Sequence, residues 1–312
     1  YRFALEVLLL TREEDLKRGI GSGELGIRVY EAITKVVAEH WRRDLPVCYI
    51  PSCILLPTIP SHRKVNKIDM GTADKMAAAV LGIFDHSNKY NTDYREASFI
   101  LLELGFGYNA AIAVKNGVIV DGIGGTLTQL GFLTMGSIDG EVAVMGGEWV
   151  RSDVFHGGVA EICGASSMND ALSRYEKGEE QCVLAIDAML EGIEKSARIL
   201  TASIENPKEI LLSGRYSRHP NFRKLVQERL SKIAPVRNLR MLPGARIAKE
   251  AAQGYAAIGE GIAGGVFKSL VEHMRITDAH GIVLNWVFHP RLKAAKENLL
   301  RTYIKSVKNP RL

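Results

Sequence analysis

The chain has 312 residues, a formal net charge of +5 at pH 7, and 46% hydrophobic and 24% charged residues. These proportions are those of globular proteins, which excludes disordered, collagen-like and mucin-like chains. At about 150 residues per domain, the length predicts two domains. No uncharged apolar run approaches the ~18 residues of a membrane-spanning helix, so we expect no membrane association. The sequence begins at Tyr1 rather than Met, and we expect further residues upstream.

Basic residues are concentrated at the C-terminal end, where residues 291–312 contain seven Lys or Arg and a single Glu. The rest of the chain is therefore close to neutral. This pattern is typical of a solvated amphipathic helix. Because no basic face with interleaved aromatic residues is visible, we expect no nucleic-acid partner. The four cysteines have no CxxC spacing and lie in apolar segments, which predicts reduced thiols and a cytoplasmic location.

In chain order, the apolar patterning predicts alternating strands and helices, which indicates an α/β protein. In the first third, the predicted elements are a buried strand over 2–10, an amphipathic helix over 23–44, an apolar strand region over 45–56 and a helix from Gly71 to about Phe84. The loop before that last helix contains three side chains that can supply positive charge: Arg63, Lys64 and Lys67.

From residue 98 onward the alternation continues. The predicted elements are a strand over 98–105, hairpin strands over 110–114 and 118–121, two helices within 169–204 split near Gly178, a strand over 209–212, a helix that ends at Ile233, a strand over 236–239 and a long helix over 245–274. The Asn116-Gly117 pair between the hairpin strands is the strongest short-range signal for such a turn.

Three glycine-bearing turns stand beside predicted strand or helix ends. The first is the segment 68–74, in which Gly71 allows the backbone to approach a ligand closely. Thr72 and Asp74 can cap the following helix, whose free N-terminal amides favour a phosphate. A tight turn followed by an ordinary helix cap explains the same residues without a ligand.

The second turn closes a strand and leads directly into the hairpin. It contains Gly105 and Gly107, and the return strand ends in Asp121 followed by Gly124 and Gly125. Two glycine loops and a carboxylate thus meet at one edge of the hairpin, where backbone N–H groups can form an anion-binding nest. An ordinary glycine β-turn is the alternative interpretation.

The third turn, Ser213-Gly214-Arg215, follows an apolar strand and leaves room for an adenine or ribose against the chain. Its partner is the segment 254–265, which carries five glycines on one predicted helix. Each glycine destabilises a helix by about 1 kcal/mol relative to Ala, so this segment must allow a close approach. Close helix packing and contact with a nucleotide are the two interpretations.

Several common kinds of site are missing from the sequence. The eight histidines are scattered without HxxxH or HxH spacing, which argues against a zinc site. There is no GxSxG elbow, and neither GxxxxGKS nor GxxxxGKT occurs, which argues against α/β-hydrolases and P-loop NTPases.

With its glycine turns in this order, the sequence resembles the acetate kinase and butyrate kinase branch of the sugar kinase–actin–Hsp70 superfamily. More closely, it resembles an archaeal family of butyrate-kinase-like proteins. The similarity extends from about residue 45 to 265 and rests on the segments 51–53, 69–72, 103–107 and 121–125. The hairpin is similar to the second phosphate loop of those kinases, and Ser213-Gly214 lies in a segment similar to their adenosine motif.

The resemblance implies an α/β fold of two actin-like (ribonuclease H-like) ATPase domains with a cleft between them. The first would comprise residues 1–96, with 276–312 packing back on it, and the second residues 97–275. The resemblance also implies ATP and Mg²⁺ as cofactors, a small carboxylic acid as acceptor, and a homodimer. The expected activity is that of a short-chain acyl kinase, a carboxylate kinase acting on a butyrate-like acid.

The resemblance also assigns roles to individual residues. Asp69 and Glu103 would be catalytic, and Asp69 with Asp121 would hold Mg²⁺. The residues expected at the nucleotide are Gly71 and Thr72 on the acceptor side, Gly105, Gly107, Gly124 and Gly125 at the phosphates, and Gly214, Gly259 and Gly261 around the adenosine.

The sequence departs from acetate kinases at three charged positions. Those enzymes have His where this chain has Met70 and Glu103, and their catalytic Asp falls near Pro51, where no carboxylate is present. Phosphoryl transfer depends on positioning and charge neutralisation, so these changes support a second hypothesis. In that hypothesis the protein is an ATP-binding module of the actin and Hsp70 kind, with little or no kinase activity.

Overall fold

The computed structural model describes residues 45–149 and 151–306, together with residues 35, 36, 39, 40, 42, 43, 310 and 312. The predicted strand over 2–10 and most of the predicted helix over 23–44 lie outside the described residues.

The described part of the chain forms one five-stranded mixed sheet, with strands in the order β3-β2-β1-β4-β5. Its strands are β1 (Phe99–Leu104), β2 (Asn109–Lys115), β3 (Val118–Ile123), β4 (Ile210–Ser213) and β5 (Val236–Asn238). β1, β2 and β3 are antiparallel neighbours, whereas β4 and β5 run parallel to β1. The sheet confirms the predicted α/β class.

The turn between β2 and β3 is the predicted Asn-Gly turn. Asn116 has φ of 53° and Gly117 has φ of 72°, so both residues are left-handed. Two successive left-handed residues are what a type I′ hairpin turn requires, and Asn and Gly adopt that conformation most readily.

Helices surround the sheet. They are α1 (Ser61–Lys64), α2 (Ala73–Tyr90), α3 (Gly140–Gly146), α4 (Val159–Cys163), α5 (Met168–Glu176), α6 (Glu180–Thr201), α7 (Pro220–Leu230), α8 (Glu250–Ile262), α9 (Lys268–His273) and α10 (Lys293–Ser306). None of the described helices combines the length and the apolar character that crossing a bilayer requires.

The sheet is buried on both faces, and each face has its own apolar core. Leu101 of β1 lies in the core beneath α2 and α8, whereas its neighbours Ile100 and Leu102 lie in the core beneath α6. This division follows from the strand geometry, because successive side chains of a strand point to opposite faces. α2 precedes residue 97 and α8 follows it, yet both contribute to one core; the predicted domain division at residue 97 stays a prediction.

Two expectations about secondary structure are wrong. The region 45–56 is not a strand: residues 45–52 have no regular structure, and Cys53–Leu55 forms a 3-10 turn. Pro46 and Pro51 explain the difference, because proline lacks the N–H that a sheet ladder needs.

The long helix expected over 245–274 is divided into α8 and α9. The break follows Gly264, which has φ of 92° and ends the helical conformation. The Glu260 carboxylate then accepts hydrogen bonds from the N–H groups of Val266 and Phe267, at 2.6 and 2.9 Å, at the start of α9. The other helices predicted within residues 45–306 are present, and α2 extends beyond Phe84 to Tyr90.

An ionic network lies at the end of the parallel strands where β4 begins. Glu209 is fully buried and accepts hydrogen bonds from Arg237 Nε and Nη2, both at 2.7 Å. His86 Nδ1 and Lys89 Nζ lie 2.8 and 2.7 Å from the same carboxylate. Burial would raise the pKa of Glu209, but its bonds to His86, Arg237 and Lys89 outweigh burial and hold that pKa well below its ordinary value.

Candidate active site

The carboxyl ends of β1 and β4 lie side by side, with Glu103 opposite Ser213 in the parallel register. Each strand runs directly into a glycine turn, at Gly105 and at Gly214. In open α/β sheets, ligands bind outside the carboxyl ends of the parallel strands. The two turns predicted separately from the sequence therefore meet where a ligand is expected.

A cavity of about 370 Å³ opens at this point. Its volume is within the range of small-molecule sites. It lies between the two glycine turns and the N-terminal ends of α2 and α8. The lining residues are Asp74, Ala78, Glu103, Gly105, Phe106, Ser213, Gly214, Arg215, Arg218, Lys249, Glu250 and Ala251.

Both turns require glycine for local reasons. Gly214 has φ of 86°, and a Cβ there would lie 2.6 Å from the Leu104 carbonyl oxygen. A Cβ at Gly105 would lie 2.5 Å from the carbonyl oxygen of Tyr108, to which the Gly105 N–H donates a hydrogen bond at 3.0 Å. The absence of side chains lets the two strand ends approach each other and leaves the cavity open between them.

Phe106 and Arg215 form one wall of the cavity. The Arg215 guanidinium lies 4.7 Å from the centroid of the Phe106 ring, and Phe106 is 48% exposed. An aromatic face beside a guanidinium is a surface on which a planar base can stack. On the rim, Arg218 Nη2 is 2.8 Å from Glu250 Oε1.

Lys75 lies behind the opposite side of the cavity, between two of its lining carboxylates. Its Nζ is 2.6 Å from Asp74 Oδ2 and 2.8 Å from Glu103 Oε2. The Thr72 hydroxyl donates to the other oxygen of Asp74. Burial would lower the pKa of Lys75, but attraction to Glu103 and Asp74 outweighs it and raises that pKa above its ordinary value. Lys75 therefore carries its positive charge at neutral pH.

Asp69 joins two of the predicted glycine segments. Its Oδ1 accepts a hydrogen bond from the Gly71 N–H at 2.8 Å, and a Cβ at Gly124 would lie 2.3 Å from its carboxyl carbon. Burial raises the pKa of Asp69, and the Gly71 and Gly125 N–H groups oppose that rise. Asp69, Gly71, Gly124 and Gly125 are thus brought together beside the cavity but do not line it.

Asp121 lies on the other face of the sheet from Asp69. The missing Cβ of Gly122 would meet the Met70 carbonyl oxygen at 2.0 Å, so Gly122 faces the 69–72 turn. Asp121, one residue earlier on the strand, points the opposite way, and its Oδ2 accepts from the Ser203 hydroxyl at 2.5 Å. The expected magnesium pair of Asp69 and Asp121 is therefore not brought together.

Three other predicted glycines lie away from the cavity lining. A Cβ at Gly107 would make only ordinary contact with Leu133 at 3.7 Å, and Gly259 has open space around it. A Cβ at Gly261 would meet the Phe267 carbonyl oxygen at 2.8 Å, which is a contact within the α8–α9 connection.

The cations suggested by the sequence bind backbone carbonyl groups instead. Arg63 Nη1 donates to Val120 and Lys64 Nζ to Leu56, both at 2.8 Å. The cations that line or border the cavity are Lys75, Arg215, Arg218 and Lys249. Sequence reasoning missed them as functional residues, although Arg215 directly follows the predicted turn at Gly214.

Within the described residues, no three His, Cys, Asp or Glu side chains are placed so that they could hold a metal ion. The four cysteines are free thiols, as predicted. Burial raises the pKa of the Cys53 thiol well above its ordinary value, which keeps the thiol protonated at neutral pH.

Comparison with protein families assigns the chain to one of them. It belongs to the DUF1464 family. The sequence profile of this family, described as "protein of unknown function", matches residues 4–289. No curated protein matches the chain.

Among solved structures, the chain is similar to acetate kinase from Porphyromonas gingivalis, with 17% identity over 52% of this chain and 43% of that one, and a TM-score of 0.46. It is also similar to a propionate kinase from Francisella tularensis, with 16% identity over 57% of this chain and 53% of that one, and a TM-score of 0.47. For ROK hexokinase from Thermus thermophilus, the values are 16% identity, 59% and 62% coverage, and a TM-score of 0.36. The chain spans about half the length of the two acyl kinases. Its similarity to all three structures is a distant similarity of fold.

Proposed function

We propose that this protein is an ATP-dependent phosphotransferase whose nucleotide occupies the cavity at the carboxyl ends of β1 and β4. One observation carries the proposal: two glycine turns and an aromatic–guanidinium wall line a single cavity, and the ammonium group of Lys75 lies directly behind two of its lining carboxylates. The three features suit the parts of a nucleotide. The flat aromatic–guanidinium surface suits its base, the turns without side chains leave room for the molecule, and the positive charge suits its phosphates. In this proposal the sheet belongs to the second of two actin-like domains.

The cavity has two chemically different sides, which sets the orientation of the nucleotide. Phe106, Arg215 and Gly214 form the side suited to adenosine. The other side contains Glu103 with its Lys75 partner and the N-terminal end of α2, an 18-residue helix. Unpaired amides and the helix dipole at such an end favour anions, so the phosphates belong there.

Mg²⁺ fits the acidic side of the cavity. In nucleotide enzymes Mg²⁺ is commonly bound by one or two carboxylates and by substrate phosphates, so a full protein cage is not needed. Asp74 and Glu103 both line the cavity, and either can direct an oxygen to the ion. When bound, Mg²⁺ would neutralise charge on the phosphates. Asp121 lies on the opposite face of the sheet and takes no part.

For the acceptor, we propose a small carboxylic acid of the acetate-to-butyrate class. The support is the resemblance of the glycine segments, in their order, to those of acyl kinases. The proposal includes closure over the substrates, which excludes water as a competing acceptor. It also includes a cytoplasmic location, for which the free thiols are the supporting observation, and a homodimer.

The experiment is a calorimetric titration with ATP and Mg²⁺, followed by an assay of ADP release with formate, acetate, propionate, butyrate and isobutyrate. We expect one saturable ATP site and ADP release that depends on one of the acids. Arg215→Ala should weaken ATP binding at least about tenfold, since it removes one cavity wall. Arg229→Ala is the matched control, because Arg229 pairs with Asp187 outside the cavity. Failure of ATP to bind the parent protein would refute the proposal.

A second candidate is an ATP-binding module without transferase activity. The observation that favours it is the composition of the 51–53 segment: Pro51, Ser52 and Cys53 are all buried, and none is a carboxylate. The same experiment separates the candidates. ATP binding with acid-dependent ADP release supports the kinase, and tight binding without ADP release for any acid supports the module.

A further inference from the structure

Lys75 is the feature of this site that the sequence did not single out. It is the third residue of α2 and lies 16% exposed between Asp74 and Glu103. Lys75 thus places a positive charge 2.8 Å from the Glu103 carboxylate, which lines the cavity.

The position of Glu103 brings Lys75 close to both glycine turns. A Cβ at Gly214 would lie 2.8 Å from Glu103 Oε1, and a Cβ at Gly105 would lie 3.5 Å from Glu103 Oε2. Glu103 thus lies between the turns, with the ammonium group of Lys75 on its second oxygen. A ligand phosphate held at these turns would lie beside the Glu103–Lys75 ion pair.

The second observation is that Lys75 and Ser213 have hydrogen-bonding groups without a partner in the described residues. A lysine ammonium has three N–H donors. In the described residues Lys75 Nζ donates one hydrogen bond, to Asp74 Oδ2, and lies 2.8 Å from Glu103 Oε2 as an ion pair without a hydrogen bond, which leaves donor capacity for a ligand. Beside it, the Ser213 hydroxyl is 1% exposed, lines the cavity, and has no hydrogen-bond partner in the described part of the chain. Buried hydroxyl groups normally have a partner, and a phosphate oxygen held in the cavity would supply one.

We infer that Lys75 is the phosphate-binding cation of this site, held in place by Asp74 and Glu103, and that the Ser213 hydroxyl binds the same phosphate. This inference rests on the proposed function and deepens it. Adenosine carries no phosphate, so its affinity does not depend on Lys75. ADP and ATP do depend on Lys75, because their phosphates bind an N–H of its ammonium group that has no hydrogen-bond partner in the described residues.

The test compares the affinities of ATP, ADP and adenosine for the parent protein and for Lys75→Met, by calorimetry. We expect the affinities for ATP and ADP to fall about 10- to 100-fold, as for loss of a charged hydrogen bond, and the affinity for adenosine to change less than about twofold. Lys75→Arg should restore most of the ATP affinity. Lys89→Met is the matched control: it breaks a lysine–glutamate pair of 2.7 Å at the far end of the same helix, and ATP affinity should not change.

Each outcome decides between the two claims. If the parent protein binds neither ATP nor adenosine, the proposed function fails and the inference fails with it. If the parent binds ATP and Lys75→Met binds it equally well, the inference fails and the proposed function stands. Equal losses for all three ligands would show a structural role for Lys75 and overturn the inference. Should Lys75→Met not fold, Ser213→Ala provides the same comparison, with an expected loss of about 3- to 10-fold for ATP and none for adenosine.

Discussion

The packing of α8 against α2 depends on Gly254, and a single methyl group there tests this part of the structure. A Cβ at Gly254 would lie 1.9 Å from the Ala77 carbonyl oxygen of α2. On the same helix, a Cβ at Gly259 would meet nothing within 4 Å. The two glycines are both interior to α8, so they share the same backbone propensity and differ in their surroundings.

Replacing each of these glycines by alanine should change the free energy of unfolding in opposite directions. Replacing a helical glycine by alanine stabilises by about 0.5–1 kcal/mol where the site is open, so Gly259→Ala should be stabilising. At Gly254, reaching even 3.0 Å from Ala77 requires a shift of 3.0 minus 1.9, or about 1.1 Å, between two packed helices. Overpacking of this kind costs about 1–3 kcal/mol, and the obstacle here is backbone, which cannot rotate away. A backbone obstacle puts the cost at the upper end of that range, about 3 kcal/mol, and the helix-propensity gain of about 1 kcal/mol offsets part of it, so Gly254→Ala should destabilise by about 2 kcal/mol net.

Thermal unfolding followed by circular dichroism provides the measurement. For 312 residues the unfolding entropy is about 0.65 kcal/mol/K, so 1 kcal/mol corresponds to roughly 1.5 °C. We expect the midpoint to rise by about 1 °C for Gly259→Ala and to fall by about 3 °C for Gly254→Ala. If Gly254→Ala were as stable as Gly259→Ala, the close approach of the two helices would be refuted.

Three further predictions concern charge and turns. Because the pKa of Glu209 is lowered in the folded state, its contribution is present above its ordinary pKa of 4.5 and is lost as pH falls below it. Glu209→Gln should lower the free energy of unfolding by about 3–5 kcal/mol at pH 7, measured by urea unfolding, and should make the loss of stability at acidic pH less steep. A pH profile of stability unchanged from that of the parent protein would contradict this. Asp121→Asn should leave Mg²⁺–ATP affinity within about twofold by calorimetry, whereas Glu103→Gln should weaken it about tenfold or more; equal effects would refute the placement of Asp121. Gly117→Ala should destabilise by more than about 1 kcal/mol in urea unfolding, since its Cβ would lie 2.2 Å from the Tyr94 carbonyl oxygen at φ of 72°; no loss would disprove the left-handed turn.

The sequence predicts the sheet well, because its strands carry strong local signals. The hairpin follows from Asn116-Gly117, and the helix break near Gly178 follows from a glycine that adopts φ of 76°. The two glycine turns at Gly105 and Gly214 are also visible in the sequence. Their meeting at one edge follows from β1 and β4 being parallel neighbours.

The charged part of the site could not be predicted in the same way. Asp69 lies two residues before Gly71 and Asp121 lies directly before Gly122, and only the register of β3 shows that the two carboxylates face opposite sides of the sheet. Lys75 is one of many lysines on amphipathic helices, and its contact with Glu103 joins segments 28 residues apart in the chain. The break after Gly264 was missed because a glycine within a small-residue helix pattern is equally compatible with continuation and with termination.

The most direct test of the proposed nucleotide site is to measure which backbone amides ATP protects from hydrogen exchange. We expect ATP with Mg²⁺ to slow exchange of backbone amides in four segments, 74–78, 103–106, 213–218 and 249–251, which are the parts that border the cavity. The C-terminal end of α6 near Ser203, on the opposite face of the sheet, should exchange as before. Protection in these four segments together would support the cavity as the nucleotide site. Protection elsewhere, or none at saturating ATP, would contradict it.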